Sequence, residues 1–171
     1  MSLKKFVTGR NFSYALALVS LLALEACHHN RDSEEKLYDE LYAGDGKGTT
    51  MPAPGSVGEF VLIAGDRVHY GFDKYNITCE YEDVIVNQAS FLKTYTDKKA
   101  TIAGHCDKRG TREYNLALGM RRANAHKNAL VAQGIDPSRL KTISYGKERP
   151  LVEGDTEAAY AKNRATVVHL D

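Results

Sequence analysis

"GHCDKRGTREYNLALGMRRANA", residues 104–125, decides how this chain folds, because a strand runs out and a long helix begins inside it. Its first residues finish "KATIAGH", residues 99–105, which reads as a strand. Thr111 to Gln133 then reads as one long helix, with Gly134 to end it and Pro137 just beyond. Upstream, "RVHYGF" (67–72) alternates as a strand does, and "FVLI" (60–63) suggests a shorter strand before it. Thr78 is placed to cap a helix with Glu80, Glu82 and Asp83 in its first turn, where the helix dipole favours carboxylates. Ile85, Ala89 and Leu92 follow as an i, i+4, i+7 apolar stripe. Downstream come a strand at "LKTISYG" (140–146), a short helix over 155–162 and a last strand at "ATVVHL" (165–170). Strands alternating with helices predict an α/β sandwich, one sheet covered by helices on one face.

The adjacent His105, Cys106 and Asp107 raise the question of catalysis. On a continuing strand His105 and Asp107 project to one face and Cys106 to the other, so the three form no nucleophile–base–orienter chain. His28, His29, His69, His126 and His169 are scattered, without the short ligand spacings of a metal site, and no cofactor motif is present. Neither a metal, a cofactor nor an enzymatic activity is expected. Binding fits better. On the long helix Asn115, Gly119 and Arg122 share one face, and Gly119 is expected to leave room above it for a ligand. Asp107 and Arg122 then make a two-point clamp for a zwitterion: Asp107 takes an ammonium and Arg122 forks onto a carboxylate. The plainer alternative is an Asp107–Arg122 ion pair that merely frames the loop.

The N-terminal part is of another kind. Lys4, Lys5 and Arg10 precede an uncharged run of 13 residues, Phe12–Leu24. As a helix it reaches about 20 Å, short of the roughly 30 Å a bilayer core requires, so residues 1–26 read as an export signal. The signal ends "LLALEACHHN", similar to a bacterial lipobox except for Glu25; the resemblance implies acylation of Cys27, against the alternative of an ordinary thiol. Residues 27–59, polar and Gly/Pro-rich, read as a flexible tether spanning very roughly 30 Å. Residues 60–171 read as the domain. With 23 basic and 22 acidic side chains the charge is near balance, and nothing argues for nucleic acid.

"GHCDKRGTREYNLALGMRRANAHKNALVAQGI" (104–135), with "HYGFDKYNI" (69–77) before it and "ISYGKERPLVEGDTEAAYAKNR" (143–164) after it, resembles the OmpA C-terminal-like domain family. Within it, "GH-x-D-x-RGT-x-EYN" and "SYGKE-P" resemble the peptidoglycan-associated lipoproteins. The resemblance implies a βαβαβαβ domain with one mixed sheet, and non-covalent binding of the peptidoglycan stem peptide through meso-diaminopimelate. By position it makes Asp107 and Arg122 the acid–base pair that grips the ligand. Phe72 and Asp73 become a loop whose backbone N–H groups face it, Arg109 and Leu118 further contacts, and Asn115 a brace for the loop. It also implies a lipid anchor in the outer membrane, the domain in the periplasm, and the Tol–Pal envelope system as setting. A TolB-like periplasmic protein would be a partner on an overlapping face, with other Tol components as further candidates. The family's second arginine before the last strand is replaced here by Ala165. In an oxidising compartment Cys79 and Cys106, carried on loops that such a fold brings together, are candidates for a disulfide beside the pocket. Two packed thiols are the alternative.

Overall fold

The computed structural model describes residues 51–171; the signal, Cys27 and residues 27–50 of the tether lie outside them. The first element is a helix, α1 (Val57–Ala64), where a strand was expected at residues 60–63. Four consecutive apolar residues cannot arbitrate between strand and helix, and the capping chemistry decides. Ser56 accepts from the Glu59 N–H, while the Glu59 carboxylate reaches back to the Gly55 N–H at 2.6 Å. Phe60 and Ala64, one turn apart, are buried, and Ile63 stays exposed. The last residues read as tether, 57–59, are thus the first turn of α1.

Strand β1 (Arg67–His69) is only three residues long. Thr78 starts a 3-10 turn (Cys79–Tyr81) and its hydroxyl caps nothing; the α-helix α2 (Glu82–Thr94) begins after that turn. Its predicted stripe of Ile85, Ala89 and Leu92 is buried. Strand β2 (Ala100–His105) leads into α3 (Arg112–Ala132), where Thr111 caps by accepting from the Tyr114 N–H. Gly134, at φ 91°, ends that helix in the left-handed region that glycine tolerates. Strand β3 (Leu140–Gly146), helix α4 (Glu157–Asn163) and strand β4 (Ala165–Leu170) complete the order.

The sheet is mixed, in the order β1-β4-β2-β3. β2 and β3 are parallel, joined through α3, and β4 lies antiparallel between β1 and β2. Phe60, Val68, Leu92, Ile102, Leu130 and Val168 centre the core beneath α1, α2 and α3.

Helix α3 lies unusually close to β2, and two glycines allow it. A Cβ on Gly104 would stand 1.9 Å from the Gly119 carbonyl oxygen, and one on Gly119 2.3 Å from Ser144 Oγ. The space that Gly119 leaves is therefore filled by the sheet and not kept for a ligand. Gly104→Ala is expected to destabilise the domain by at least about 1–3 kcal/mol, since the obstacle is backbone. Urea unfolding of the variant measures it.

Through this core runs a chain of polar groups whose proton positions follow from one another. Gln88 donates its amide to the Gly65 carbonyl at 2.9 Å, so its Oε1 accepts from His126 Nε2 at 2.7 Å. His126 Nδ1 is then the acceptor for the Thr166 hydroxyl at 2.8 Å, and Thr166 in turn accepts from Tyr70 at 3.2 Å. His126 is fully buried and neutral, and burial pushes its pKa down to about 3.

Candidate functional site

At the C-terminal end of β2 the chain turns away from the sheet. The register between β2 and β3 shifts between Gly104 and His105, which breaks the strand alternation predicted for His105, Cys106 and Asp107. His105 points away, its Nδ1 2.9 Å from the Arg149 carbonyl oxygen, whereas Cys106 and Asp107 both line a cavity of about 220 Å³. Phe72 and Asp73 come from the loop after β1, Arg109 from the loop before α3, and Asn115, Leu118 and Arg122 from α3 itself. The cavity brings together every residue proposed from sequence for ligand contact or bracing.

Asp107 is 5% exposed and accepts three hydrogen bonds: the Arg109 N–H at 3.1 Å, Arg109 Nη2 at 2.6 Å and Arg164 Nη1 at 3.3 Å. Burial works to raise its pKa, but these donors outweigh it and hold the carboxyl below its ordinary value. Oδ1 accepts one bond among the described residues, from the Arg109 N–H, which leaves it acceptor capacity for a ligand N–H.

Arg122 is fully buried, and its role differs from the expected carboxylate fork. Nε donates to the Lys74 carbonyl at 2.8 Å, Nη1 to the His105 carbonyl at 2.9 Å and to Cys106 Sγ at 3.5 Å, and Nη2 to the Gly71 carbonyl at 3.2 Å. Four of its five N–H donors are thus committed within the protein. It makes no direct ion pair with Asp107, whose partners are Arg109 and Arg164. Arg122 fastens the 71–74 loop to the end of β2 and shapes the cavity from beneath.

The rim is built from Arg109. Its guanidinium stacks over the Phe72 ring at 4.3 Å and the Tyr160 ring at 4.8 Å, and pairs with Glu157 at 3.2 Å. Its Nε is buried and has no hydrogen-bond partner, the one such side-chain atom among the described residues. The backbone N–H groups of Phe72 and Asp73 likewise make no hydrogen bond among the described residues. Asp73 has φ 55°, the one non-glycine residue among those described with positive φ, and it is held there by the Tyr114 hydroxyl. Asn115 braces the loop, its amide donating to the carbonyls of Arg109 at 2.7 Å and Thr111 at 3.0 Å.

No disulfide joins Cys79 and Cys106. Cys106 is buried under α3, donating to the Asn115 carbonyl at 3.3 Å, while Cys79 is exposed on the 3-10 turn. The side chains face different surroundings, and burial pushes the Cys106 thiol up to about 11 despite the nearby Arg122 charge.

Two residues of the site had no role assigned from sequence. Arg164 donates to the Tyr70 carbonyl, to Asp107 and to Glu157, supplying the charge contact beside the buried, uncharged Ala165. Tyr114 ties the start of α3 to Asp73. Arg164 stands in "KNR" directly before β4, and its charge just ahead of an apolar strand was the available signal.

With this geometry in hand, comparison with known proteins is specific. Residues 69–164 match the OmpA family. A peptidoglycan-associated lipoprotein of Mesorhizobium japonicum is 40% identical over 155 residues, covering 91% of this chain and 89% of its own. The chain belongs to the OmpA family, in its peptidoglycan-associated lipoprotein branch. A second OmpA-family relative, the peptidoglycan-associated lipoprotein of Haemophilus influenzae, is 48% identical over 103 residues, 60% of this chain and 67% of that one. The crystal structure of the peptidoglycan-associated lipoprotein from Burkholderia pseudomallei aligns with TM-score 0.61 at 36% identity, over 62% of this chain and 90% of that chain. The C-terminal domain of Helicobacter pylori MotB shares the OmpA-like fold, with TM-score 0.58 at 18% identity over 62% of this chain and 84% of that chain. No helix among the described residues is long and apolar enough to cross a membrane.

Proposed function

We propose that this chain is an outer-membrane lipoprotein, anchored through acylated Cys27, whose periplasmic domain binds peptidoglycan without changing it. The observation that carries the reading is the unfinished polar lining of the 220 Å³ cavity. One ionised carboxylate keeps acceptor capacity, and it sits beside an orphaned guanidinium N–H and two unbonded backbone N–H groups. That set suits a zwitterion. Asp107 Oδ1 takes an ammonium, while Arg109 Nε and the N–H groups of Phe72 and Asp73 take a carboxylate. The side-chain end of meso-diaminopimelate in a stem peptide carries both charges on one carbon, and Leu118 supplies the apolar wall. The family's name supports peptidoglycan as the ligand, and the resemblance extends the reading to a Tol–Pal setting with a TolB-like partner on an overlapping face. Binding without chemistry is supported by the thiol in the cavity, whose raised pKa leaves it protonated and unreactive.

Purified sacculi are expected to retain the wild-type protein, and free meso-diaminopimelate to release it. Asp107→Asn preserves shape but removes the charge, and its retention is expected to fall by roughly tenfold or more. Undiminished retention of a folded Asp107→Asn protein would sink the proposal.

A further inference from the structure

On the other side of the 71–78 loop lies a second groove, of about 390 Å³, lined by His69, Gly71, Thr78, Glu80, Tyr81 and Lys162 among others. The two concavities are neighbours by construction. Tyr70 and Gly71 line this groove, and the next two residues, Phe72 and Asp73, line the Asp107 cavity. Helix α4 and the residue after it are likewise divided, with Ala161 and Lys162 on this side and Arg164 on the other. A ligand held at Asp107 and continuing over the Gly71–Phe72 turn enters the groove.

Part of the polar lining has no strong partner among the described residues. Glu80 and Lys162 are exposed and form no ion pair or side-chain hydrogen bond among the described residues. Thr78 occupies a capping position, yet its hydroxyl caps nothing. These supply an acceptor, a triple donor and a hydroxyl. Alongside them the His69 and Tyr81 rings stand 6.2 Å apart at 53°. One acid and one base leave the groove near neutral, and burial keeps His69 uncharged by lowering its pKa. Mixed donors and acceptors beside an aromatic wall fit a neutral polyhydroxylated ring, with its hydroxyl edges and apolar C–H faces, better than a charged peptide.

We infer that this groove is a saccharide subsite, taking an N-acetylated amino sugar of the glycan strand whose stem peptide occupies the Asp107 cavity. The inference rests on the peptidoglycan-binding reading and extends it from the peptide to the sugar. Lys162 donates to acetyl or hydroxyl oxygens, Glu80 accepts from hydroxyls, and Tyr81 covers a C–H face.

The test is calorimetric titration of the full chain with three probes: a diaminopimelate-containing tripeptide, the same peptide on its disaccharide, and the disaccharide alone. Wild type is expected to bind the disaccharide-peptide roughly five- to tenfold tighter than the peptide, the size of one or two net hydrogen bonds. Lys162→Ala and Glu80→Ala, both at exposed positions outside the core, are expected to erase that gain and leave affinity for the bare peptide unchanged. Equal wild-type affinity for peptide and disaccharide-peptide overturns the subsite, as does a gain that survives both substitutions. Competition between a second peptide and the disaccharide-peptide at Lys162 overturns it in favour of a peptide occupant. Failure of wild type to bind any probe strikes the peptidoglycan reading itself and is recognisable as such.

Discussion

Arg122→Ala is expected to unfold or severely loosen the domain, at a cost of about 3–5 kcal/mol, and not merely to weaken ligand binding. The side chain is fully buried, so its removal leaves a large void at the base of the cavity. It also strips donors from three carbonyls, those of Gly71, Lys74 and His105. Those carbonyls belong to two separate parts of the chain, the loop after β1 and the end of β2, and Arg122 is what ties them together. Arg122→Lys restores the charge but not the fork: one ammonium cannot reach three carbonyls from the positions of Nε, Nη1 and Nη2. The lysine variant is expected to fold with lower stability and with the 71–74 loop loosened. Urea unfolding measured beside sacculus retention separates this residue from Asp107. Asp107→Asn should lose retention while staying folded, with a smaller loss of stability from its weakened bonds to Arg109 and Arg164, whereas Arg122→Ala should lose both together. An Arg122→Ala protein of wild-type stability that fails to bind would restore the simpler view of Arg122 as a direct ligand contact.

The difference between these residues explains what could be read in the sequence. Local chemistry was legible. The Thr111 cap and Gly134 stop bound α3 where expected, and the Ile85, Ala89, Leu92 stripe faces the core. The family pattern collected Phe72, Asp73, Asp107, Arg109, Asn115, Leu118 and Arg122, and the fold gathers all of them round one cavity. Partners set by tertiary packing were not legible. Gly119 looked like space for a ligand because a sequence does not show that Gly104 and Ser144 occupy that space. Arg122 looked like an open fork because its acceptors are backbone carbonyls 17 to 51 residues away, which have no letter in the sequence. The strand expected at "FVLI" failed for a local reason: the Ser56 and Glu59 cap outweighed a run too short to show periodicity.

Acid sensitivity is expected to come largely from the core and not from the site. His126 has an ordinary pKa of 6.5 when unfolded and about 3 when folded, so between those values the unfolded chain binds more protons. Stability attributable to His126 is therefore complete above about pH 6.5 and is lost as pH falls towards 3, at about 1.4 kcal/mol per pH unit and on the order of 5 kcal/mol in all. Protonation is costly because Nδ1 is the acceptor for Thr166, and a second N–H there meets a hydroxyl that must reverse its own bond to Tyr70. His69 and His105, whose pKa values burial also lowers, add in the same direction. Asp107, held below the ordinary carboxylate value, gives up its contribution only at lower pH, as the folded-state carboxyl protonates. Urea midpoints between pH 4 and 7 therefore isolate the histidines. His126→Gln can still donate to Gln88 Oε1 and accept from Thr166, so it is expected to fold, less stably at neutral pH but with a much shallower decline on acidification. A decline as steep as wild type in that variant would move the acid sensitivity to another group. Since Thr166 and Tyr70 connect His126 to the strand before the 71–74 loop, the same titration followed by ligand affinity reports whether the polar chain sets the shape of the cavity or only the stability beneath it.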